Sequence, residues 1–474
     1  MRKNSVFLKP ICLGLSLVIL ALSFCGCGDY ERKKVNIEPM EAENPDVYGF
    51  EFLGGTDVMP IAGYYGPMPS NYSVDGQSLP DYISDEFFEK IAESGINLIH
   101  HQYADYATIP SIVKKLLGLG EKFNIGICVY DSRIRDNLGE ETMSVEDIDE
   151  IVNDYRNYPA FCGLYITDEP TSDYYYSNHS NTRITEYGKL FSNLKALDIF
   201  GYANLFPMVT AADKEQYIKY LQEYIDTCDV YYMSWDKYVF DKGNTKSDYF
   251  LNMSLCREYA EKVNIPFWPY IQAGSQWNAS TVSGIDTVGY YPTEGEFVWN
   301  VNTSLAYGAK GIQYFPLIQP YYYAFAMSTD FDFERNGIFG AWGNKNRWFY
   351  YAKNVNAQIA AVDEVLMNSV NKGVIVTGKD AKNDNKDSKY LIDGDSWREL
   401  TEVAGDSLIG CFNYKGKSAF YVVNYDTEYA QKIFLKLNEK YNLSVTQGAK
   451  TTFISTDALE LTMAAGEGVL VVVE

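Results

Sequence analysis

This chain is short of histidine, of cysteine and of positive charge, and each shortage closes off a class of function. Its three histidines are His100, His101 and His179. The first two are adjacent, so on a strand they point to opposite sides. A metal-dependent hydrolase centre needs more convergent ligands than that, and no metal site is expected. Of eight cysteines, Cys12, Cys25 and Cys27 fall near the start. The other five, Cys128, Cys162, Cys228, Cys256 and Cys411, are odd in number and sit mostly within strand or helix patterns. No disulfide framework is built that way, and they read as small buried residues. Lys and Arg number 40 against 63 Asp and Glu, a net charge of −23. That balance argues against nucleic acid or anionic lipid as partners. The chain carries no glycine-rich dinucleotide fingerprint, and no phosphate-cradling loop follows the last two barrel strands. No cofactor is called for, and phosphorylated substrates are disfavoured.

Turning to what is present, Arg2, Lys3 and Lys9 precede an apolar run, Ile11 to Phe24, that stops at Cys25-Gly-Cys27. A basic start, a short apolar core and a small-residue stop make residues 1–26 a secretory signal, too short for a spanning helix. A cysteine after a small residue here resembles the bacterial lipobox. That resemblance implies lipid attachment at Cys27, and a protein anchored at the cell surface or the periplasmic face of a bacterial membrane. Loss of the leader takes the net charge from −23 to −26, because three basic residues leave with it. Residues 27–46 are polar and read as a tether.

From residue 47 to residue 366 strands and helices alternate. The first strand is expected to end near Met59–Gly66. The others are expected over Ile96–His101, Ile125–Tyr130, the run from Phe161, Gly201–Phe206, Val230–Trp235, Pro266–Gln272 and Gly311–Leu317. Ser84 and Ser144 are expected N-caps, and Thr293 with Glu296 has the spacing of a capping box. Eight strand–helix units over about 320 residues fit a closed (β/α)8 TIM barrel better than an open doubly wound sheet. From residue 367 to 474 short alternating runs separated by polar turns predict a small antiparallel β-sandwich, with Lys379–Lys389 as a charged, exposed loop.

The fourth strand organises the reading. Phe-Cys-Gly-Leu-Tyr-Ile-Thr runs straight into Asp168-Glu169-Pro170. Pro170 biases Glu169 toward an extended backbone and ends the strand. A barrel places its chemistry at such strand tips. The structural alternative for these carboxylates is pairing with an arginine or capping the next helix. The collected tips are Tyr64 and Tyr65; His100, His101 and Tyr103; Asp131; Asp168 and Glu169; Asn204; Trp235 and Asp236; Gln272 and Trp277; and Gln319. Carboxylates, amides and aromatics dominate. With 41 tyrosines in the chain, amphipathic rings near strand ends suit ligands with flat apolar faces and polar rims, and carbohydrate is the obvious class. Glycosidic cleavage needs one protonated acid for the leaving oxygen and one ionised carboxylate. Glu169 is the candidate acid, its pKa raised by Asp168 beside it. Asp168 either takes part, binds substrate or orients Glu169.

The pieces Gly-Leu-Tyr-Ile-Thr-Asp-Glu-Pro (163–170), Asn-Leu-Phe-Pro (204–207), Met-Ser-Trp-Asp-Lys-Tyr (233–238), Pro-Phe-Trp-Pro-Tyr-Ile-Gln (266–272) and Leu-Ala-Tyr-Gly-Ala-Lys-Gly-Ile (305–312) span strands four to eight. They resemble glycoside hydrolases of clan A, and bacterial glycosidase-like lipoproteins with a C-terminal β-sandwich. The resemblance carries the strand-four acid onto Glu169. It also expects a nucleophilic glutamate at the tip of strand seven, where this chain has Gln272. Asp236 at the tip of strand six is the expected replacement, with Asp131 behind it; Glu296 reads better as a helix cap. Two carboxyls about 5 Å apart would retain configuration, and about 6.5–9.5 Å apart would invert it. Tyr65, His101, Tyr103, Asp131, Asn204, Trp235, Gln272 and Trp277 are the expected substrate-binding residues. Trp268, within its strand, is expected to pack the core. Two functions follow: a glycoside hydrolase of an extracellular glycan, or a barrel that binds glycan without cutting it.

Overall fold

Eight short strands carry the first domain: β1 (Ile61–Tyr64), β2 (Leu98–His100), β3 (Gly126–Tyr130), β4 (Phe161–Asp168), β5 (Gly201–Asn204), β6 (Met233–Trp235), β7 (Phe267–Gln272) and β8 (Ile312–Phe315). A computed structural model of the chain describes residues 49–69, 73–74, 77–101, 110–135, 143–240, 244–274, 290–319 and 336–474. All neighbouring strands pair in parallel, and β1 pairs with both β2 and β8. Between β5 and β6 the ladder thins to one bridge, Leu205 with Trp235. The barrel is thus nearly closed, and its loosest seam lies where Asn204 and Asp236 sit.

Each strand is followed by a helix: α1 (Asp85–Glu93), α2 (Pro110–Phe123), α3 (Val145–Val152), α4 (Ile184–Ala196), α5 (Lys214–Thr227), α6 (Lys246–Lys262), α7 (Glu294–Ala306) and α8 (Arg347–Ile359). The expected caps are in place. Ser84 accepts from the Phe87 amide, and Ser144 with Asp147 and Thr293 with Glu296 form reciprocal capping boxes. Each box satisfies two amide donors that the first helical turn leaves open. Trp268 is fully buried, its ring 4.4 Å from Tyr232 and 5.8 Å from Phe200, and packs the core as expected.

β4 departs from simple pleating. Its register shifts against β5 between Tyr165 and Thr167. On a regular strand, residues three apart face opposite sides. Here the Tyr64 hydroxyl reaches both Tyr165 and Asp168, at 2.9 and 2.7 Å, so both face the barrel interior. The bulge re-aims the strand end, a role bulges commonly play beside functional sites.

The C-terminal domain holds β9 (Ser369–Val376), β10 (Leu400–Ala404), β11 (Ser407–Tyr414), β12 (Lys417–Asn424), β13 (Gln431–Gln447), β14 (Lys450–Met463) and β15 (Gly468–Val473). They are antiparallel, as expected, and form one continuous seven-stranded sheet in the order β9-β11-β12-β15-β13-β10, with β14 on β13. Alternation divides its faces. Val374, Leu408, Phe412, Tyr421 and Leu470 join the barrel core, while Ile375, Ile409, Phe420, Val422 and Val471 enclose a second core. The sheet lies so close to α7 that a Cβ at Gly410 would fall 2.2 Å from the Ala306 carbonyl. Helices α6 and α7 are consequently buried on nearly all sides. One expectation fails. Lys379–Asn385 is a helix, not an open loop, because Ala381 and Asn385, four apart, supply a buried stripe and Tyr307 donates to Asn385 at 2.6 Å.

Candidate active site

Three carboxyl groups meet at the C-terminal rim of the barrel. Asp168 ends β4; its Oδ2 accepts from the Tyr64 hydroxyl at 2.7 Å and its Oδ1 from Asn204 Nδ2 at 3.1 Å. Glu169 follows with φ +49°, in the left-handed region. The extended backbone expected ahead of Pro170 is overridden because the turn is clamped on both sides. The Glu169 amide donates to the Asn204 carbonyl (2.9 Å), Asn181 Nδ2 donates to the Glu169 carbonyl (2.8 Å), and the Tyr220 hydroxyl donates to the Pro170 carbonyl (2.8 Å). A non-glycine residue held this way costs about 1–3 kcal/mol. Asp236, just past β6, lies close enough for its charge to act on the Glu169 carboxyl.

Neighbouring buried carboxyls resist being charged together. Burial, then the negative charges of Asp236 and Asp168, then the hydrogen bond with Asp236 push Glu169 up to about 10. Burial and the charge of Asp168 push Asp236 up to about 8, against the pull of Asn204 and Lys237. Asp168 is also raised by burial, but hydrogen bonds from Tyr64 and Asn204 oppose the shift. Among the described residues no Arg or Lys forms an ion pair with any of the three. The cluster therefore ionises in steps. Asp168, with two donors, takes the first charge, and the Glu169–Asp236 pair retains a proton at neutral pH. The result is a proton donor beside the carboxyl whose hydrogen bonds from Tyr64 and Asn204 most favour its charged form.

No protein-family model and no curated protein matches the chain. Two solved structures share its architecture across both domains. One, a glycoside hydrolase, has a TM-score of 0.51 at 12% identity, covering 88% of this chain and 93% of the other. The second, a glycoside hydrolase family 5 protein from Bacteroides vulgatus ATCC 8482, has a TM-score of 0.50 at 11% identity, covering 87% of this chain and 88% of the other. The fold is that of glycoside hydrolases. At such identity the likeness carries the glycosidase-like fold and no residue role, so the chemistry rests on the side chains themselves.

On this glycosidase-like barrel, Gln272 at the tip of β7 is 1% exposed; its Oε1 accepts from the Phe240 amide at 3.2 Å and its Nε2 donates to the Gly274 carbonyl at 3.0 Å. It ties the loop after β6, which carries Asp236, to the end of β7. Asn204 donates to Asp168 and also pulls the pKa of Asp236 down. Tyr65 (φ +67°) is buried with its ring 4.7 Å from that of Tyr64. His101 is buried on the same rim, and burial holds its pKa down to about 4, so the ring is neutral.

Two expectations are corrected. Asp131 is enclosed by Arg133 (Nη2 at 2.7 Å, Nε at 3.1 Å) and the Tyr155 hydroxyl (2.7 Å), and it also accepts from the Arg133 amide at 2.9 Å. Its acceptor capacity is spent on its own helix start and ion pair, so it does not present itself to a ligand. Trp235 has no exposed surface; its ring packs 5.6 Å from Phe267, and offers no face to a sugar. Tyr103, Trp277 and Cys27 lie outside the described residues.

Sequence reasoning passed over a better platform. Tyr176 (φ +52°) is 37% exposed, stacks on Phe206 at 4.0 Å and feels the charges of Glu169 and Asp236. Its signal was the Tyr174-Tyr175-Tyr176 run in the loop directly after Pro170. Among the described residues no group of three or more His, Cys, Asp or Glu is arranged to hold a metal. A cavity of about 510 Å³, lined in part by Phe52, Tyr158 and Phe161, opens at the opposite end of the strands, away from the acids.

Proposed function

We propose that the chain is a glycoside hydrolase that cleaves an O-glycosidic bond of an extracellular oligo- or polysaccharide. Glu169 is the general acid. Asp236 is the partner that keeps its proton in place, and Asp168 is the ionised carboxylate facing the charge that develops at the sugar carbon. The observation that carries this reading is the gathering of Glu169, Asp236 and Asp168 on one rim, Asp168 held by Tyr64 and Asn204, with no ion pair to any of the three among the described residues. Asp236 acts on Glu169 through its charge, and its own pKa is pushed up to about 8, so it is not the carboxyl that ionises first. For that reason the reading assigns the charged role to Asp168. Tyr176 is the sugar-stacking ring. The leader pattern supports a protein lipid-anchored through Cys27, at the bacterial surface or the periplasmic face.

The test is a panel of plant, microbial and host glycans assayed for new reducing ends. The wild-type protein cuts at least one member, and Glu169→Gln abolishes cutting while leaving binding largely intact. Full activity in Glu169→Gln would overturn the assignment. A second reading, a glycan binder without catalysis, is favoured by Gln272, whose amide occupies the position where the resemblance expects a nucleophile. In that case no glycan is cut, and Tyr176→Ala weakens retention on a glycan column more than Glu169→Gln does.

A further inference from the structure

A second set of residues behind the acids has a polarity that only one hydrogen-bond pattern satisfies. Asn204 Nδ2 donates to Asp168 at 3.1 Å, and Asn204 Oδ1 accepts from the Ser234 hydroxyl at 2.7 Å. Ser234 Oγ in turn accepts from Gln313 Nε2 at 2.7 Å, and the other hydrogen of that amide goes to the Trp268 carbonyl at 3.0 Å. Gln313 Oε1 lies 2.7 Å from His100 Nε2. Both amide hydrogens of Gln313 are used, so its oxygen must accept, and His100 carries its proton on Nε2. Burial holds the His100 pKa down to about 3, so the ring is a neutral donor. Ser234 has one hydrogen, and it goes to Asn204. His100, Gln313 and Ser234 have no exposed surface and Asn204 has 2%. These groups are closed off from bulk solvent.

Every donor in this chain points the same way, from β2 through β8, β6 and β5 to the carboxylate ending β4. We propose that Ser234, Gln313 and His100 are positioning residues: they lock the Asn204 amide with its NH2 toward Asp168, and so set which acid of the cluster carries the charge. The relay rests on the functional reading above only in supposing that the charge on Asp168 is used. A satisfied polar core would demand the same bonds but would not couple them to Asp168. The seam between β5 and β6, held by a single bridge, is where such side-chain fixing has most to do. The other groups facing Asp168 are Glu169, Asp236 and the hydroxyls of Tyr64, Tyr202, Tyr238 and Tyr270, and none of these bonds to Ser234.

The experiment needs no substrate. The protein is labelled with carboxyl-13C aspartate and titrated by NMR, and the Asp168 resonance is identified by its loss in Asp168→Asn. Ser234→Ala is expected to raise the Asp168 midpoint by about 1 pH unit, the scale of one hydrogen bond to a charged group. Asn204→Leu raises it at least as much, and adding Ser234→Ala to Asn204→Leu changes nothing further, because Ser234 acts through Asn204. Gln313→Leu, one step further back, gives a smaller shift of the same sign and serves if Ser234→Ala does not fold. A shift below about 0.3 pH unit in the folded variants, or additive shifts in the double variant, overturns the relay. A midpoint that moves while no glycan is cut keeps the relay and sinks the hydrolase reading. Glycan cutting with an unmoved midpoint does the reverse.

Discussion

Replacing Asp236 by asparagine separates the two causes that hold the Glu169 proton. In the native site burial is the larger cause, and the charge of Asp236 follows it. Unit charges 4 Å apart in a medium of effective dielectric 20 repel by about 4 kcal/mol, which is worth about 3 pH units. Asp236→Asn removes that repulsion and turns an acceptor into a potential donor, so both changes favour ionised Glu169. Burial remains. The Glu169 midpoint should therefore fall from about 10 by about 1–3 units, without returning to its ordinary 4.5. It is read as the 13C titration of the glutamate carboxyl, assigned through Glu169→Gln. On any glycan that the protein cuts, it is also read as the alkaline limb of kcat/KM, which moves down by the same amount because the acid must be protonated to act. A midpoint that does not move, or moves up, refutes the shared proton. A complete return to 4.5 refutes the ranking that places burial first.

Three further outcomes follow from the same geometry. Glu169 has a folded pKa above its unfolded one, so the folded state keeps a proton that the unfolded chain releases, and stability falls as pH rises from 4.5 toward 10. Glu169→Gln removes this loss. Urea unfolding should show the variant equal to wild type near pH 4 and more stable at pH 7, by up to about 3 kcal/mol, and equal stabilities at both pH values would contradict the raised pKa. Tyr64→Phe deletes the 2.7 Å bond to Asp168 and should raise the Asp168 midpoint by about 1 pH unit, moving the acid limb of kcat/KM upward with it. Arg257 is buried at the junction of the domains, donating to the Tyr307 carbonyl (3.0 Å), Asn371 Oδ1 (2.6 Å) and the Asn371 carbonyl (3.0 Å). Arg257→Ala orphans those acceptors and should cost about 3 kcal/mol, seen as a lower urea midpoint; a change below about 1 kcal/mol would mean the junction does not depend on it.

What was legible in the chain was local. Apolar periodicity, the caps at Ser84, Ser144 and Thr293, and the abrupt Asp168-Glu169-Pro170 stop depend on neighbours in sequence, and they marked out the barrel, the antiparallel domain and the acidic tip. What was not legible depends on residues far apart meeting. The β4 bulge, which brings Tyr165 and Asp168 to one face, leaves no trace in composition. Trp235 stood at a strand end, yet its ring is fully buried beside Phe267 of β7. The chain from His100 to Asp168 joins residues up to 213 positions apart, and no pattern along one strand announces it. Even the left-handed backbone of Glu169 is set by Asn204, Asn181 and Tyr220 from other segments, against its own local preference before proline.

Asp131 and Glu169 offer a comparison within one rim. Both follow the end of a barrel strand, and both are acids set against apolar surroundings. At Asp131 the protein surrounds the carboxylate with a guanidinium, a phenol and a backbone amide, the arrangement that stabilises a buried charge. At Glu169 it does the opposite: the backbone is strained, no Arg or Lys among the described residues pairs with it, and the charge of a second acid, Asp236, bears on it. A fold whose whole stability is about 5–15 kcal/mol can hold such an arrangement only if the surrounding contacts over-determine it. Those contacts are present: the clamp on the Glu169–Pro170 turn and the oriented chain ending at Asn204. The same rim thus contains an acid neutralised by its partners and the acid that we propose is kept reactive, and the difference lies in the partners that the fold brings to each.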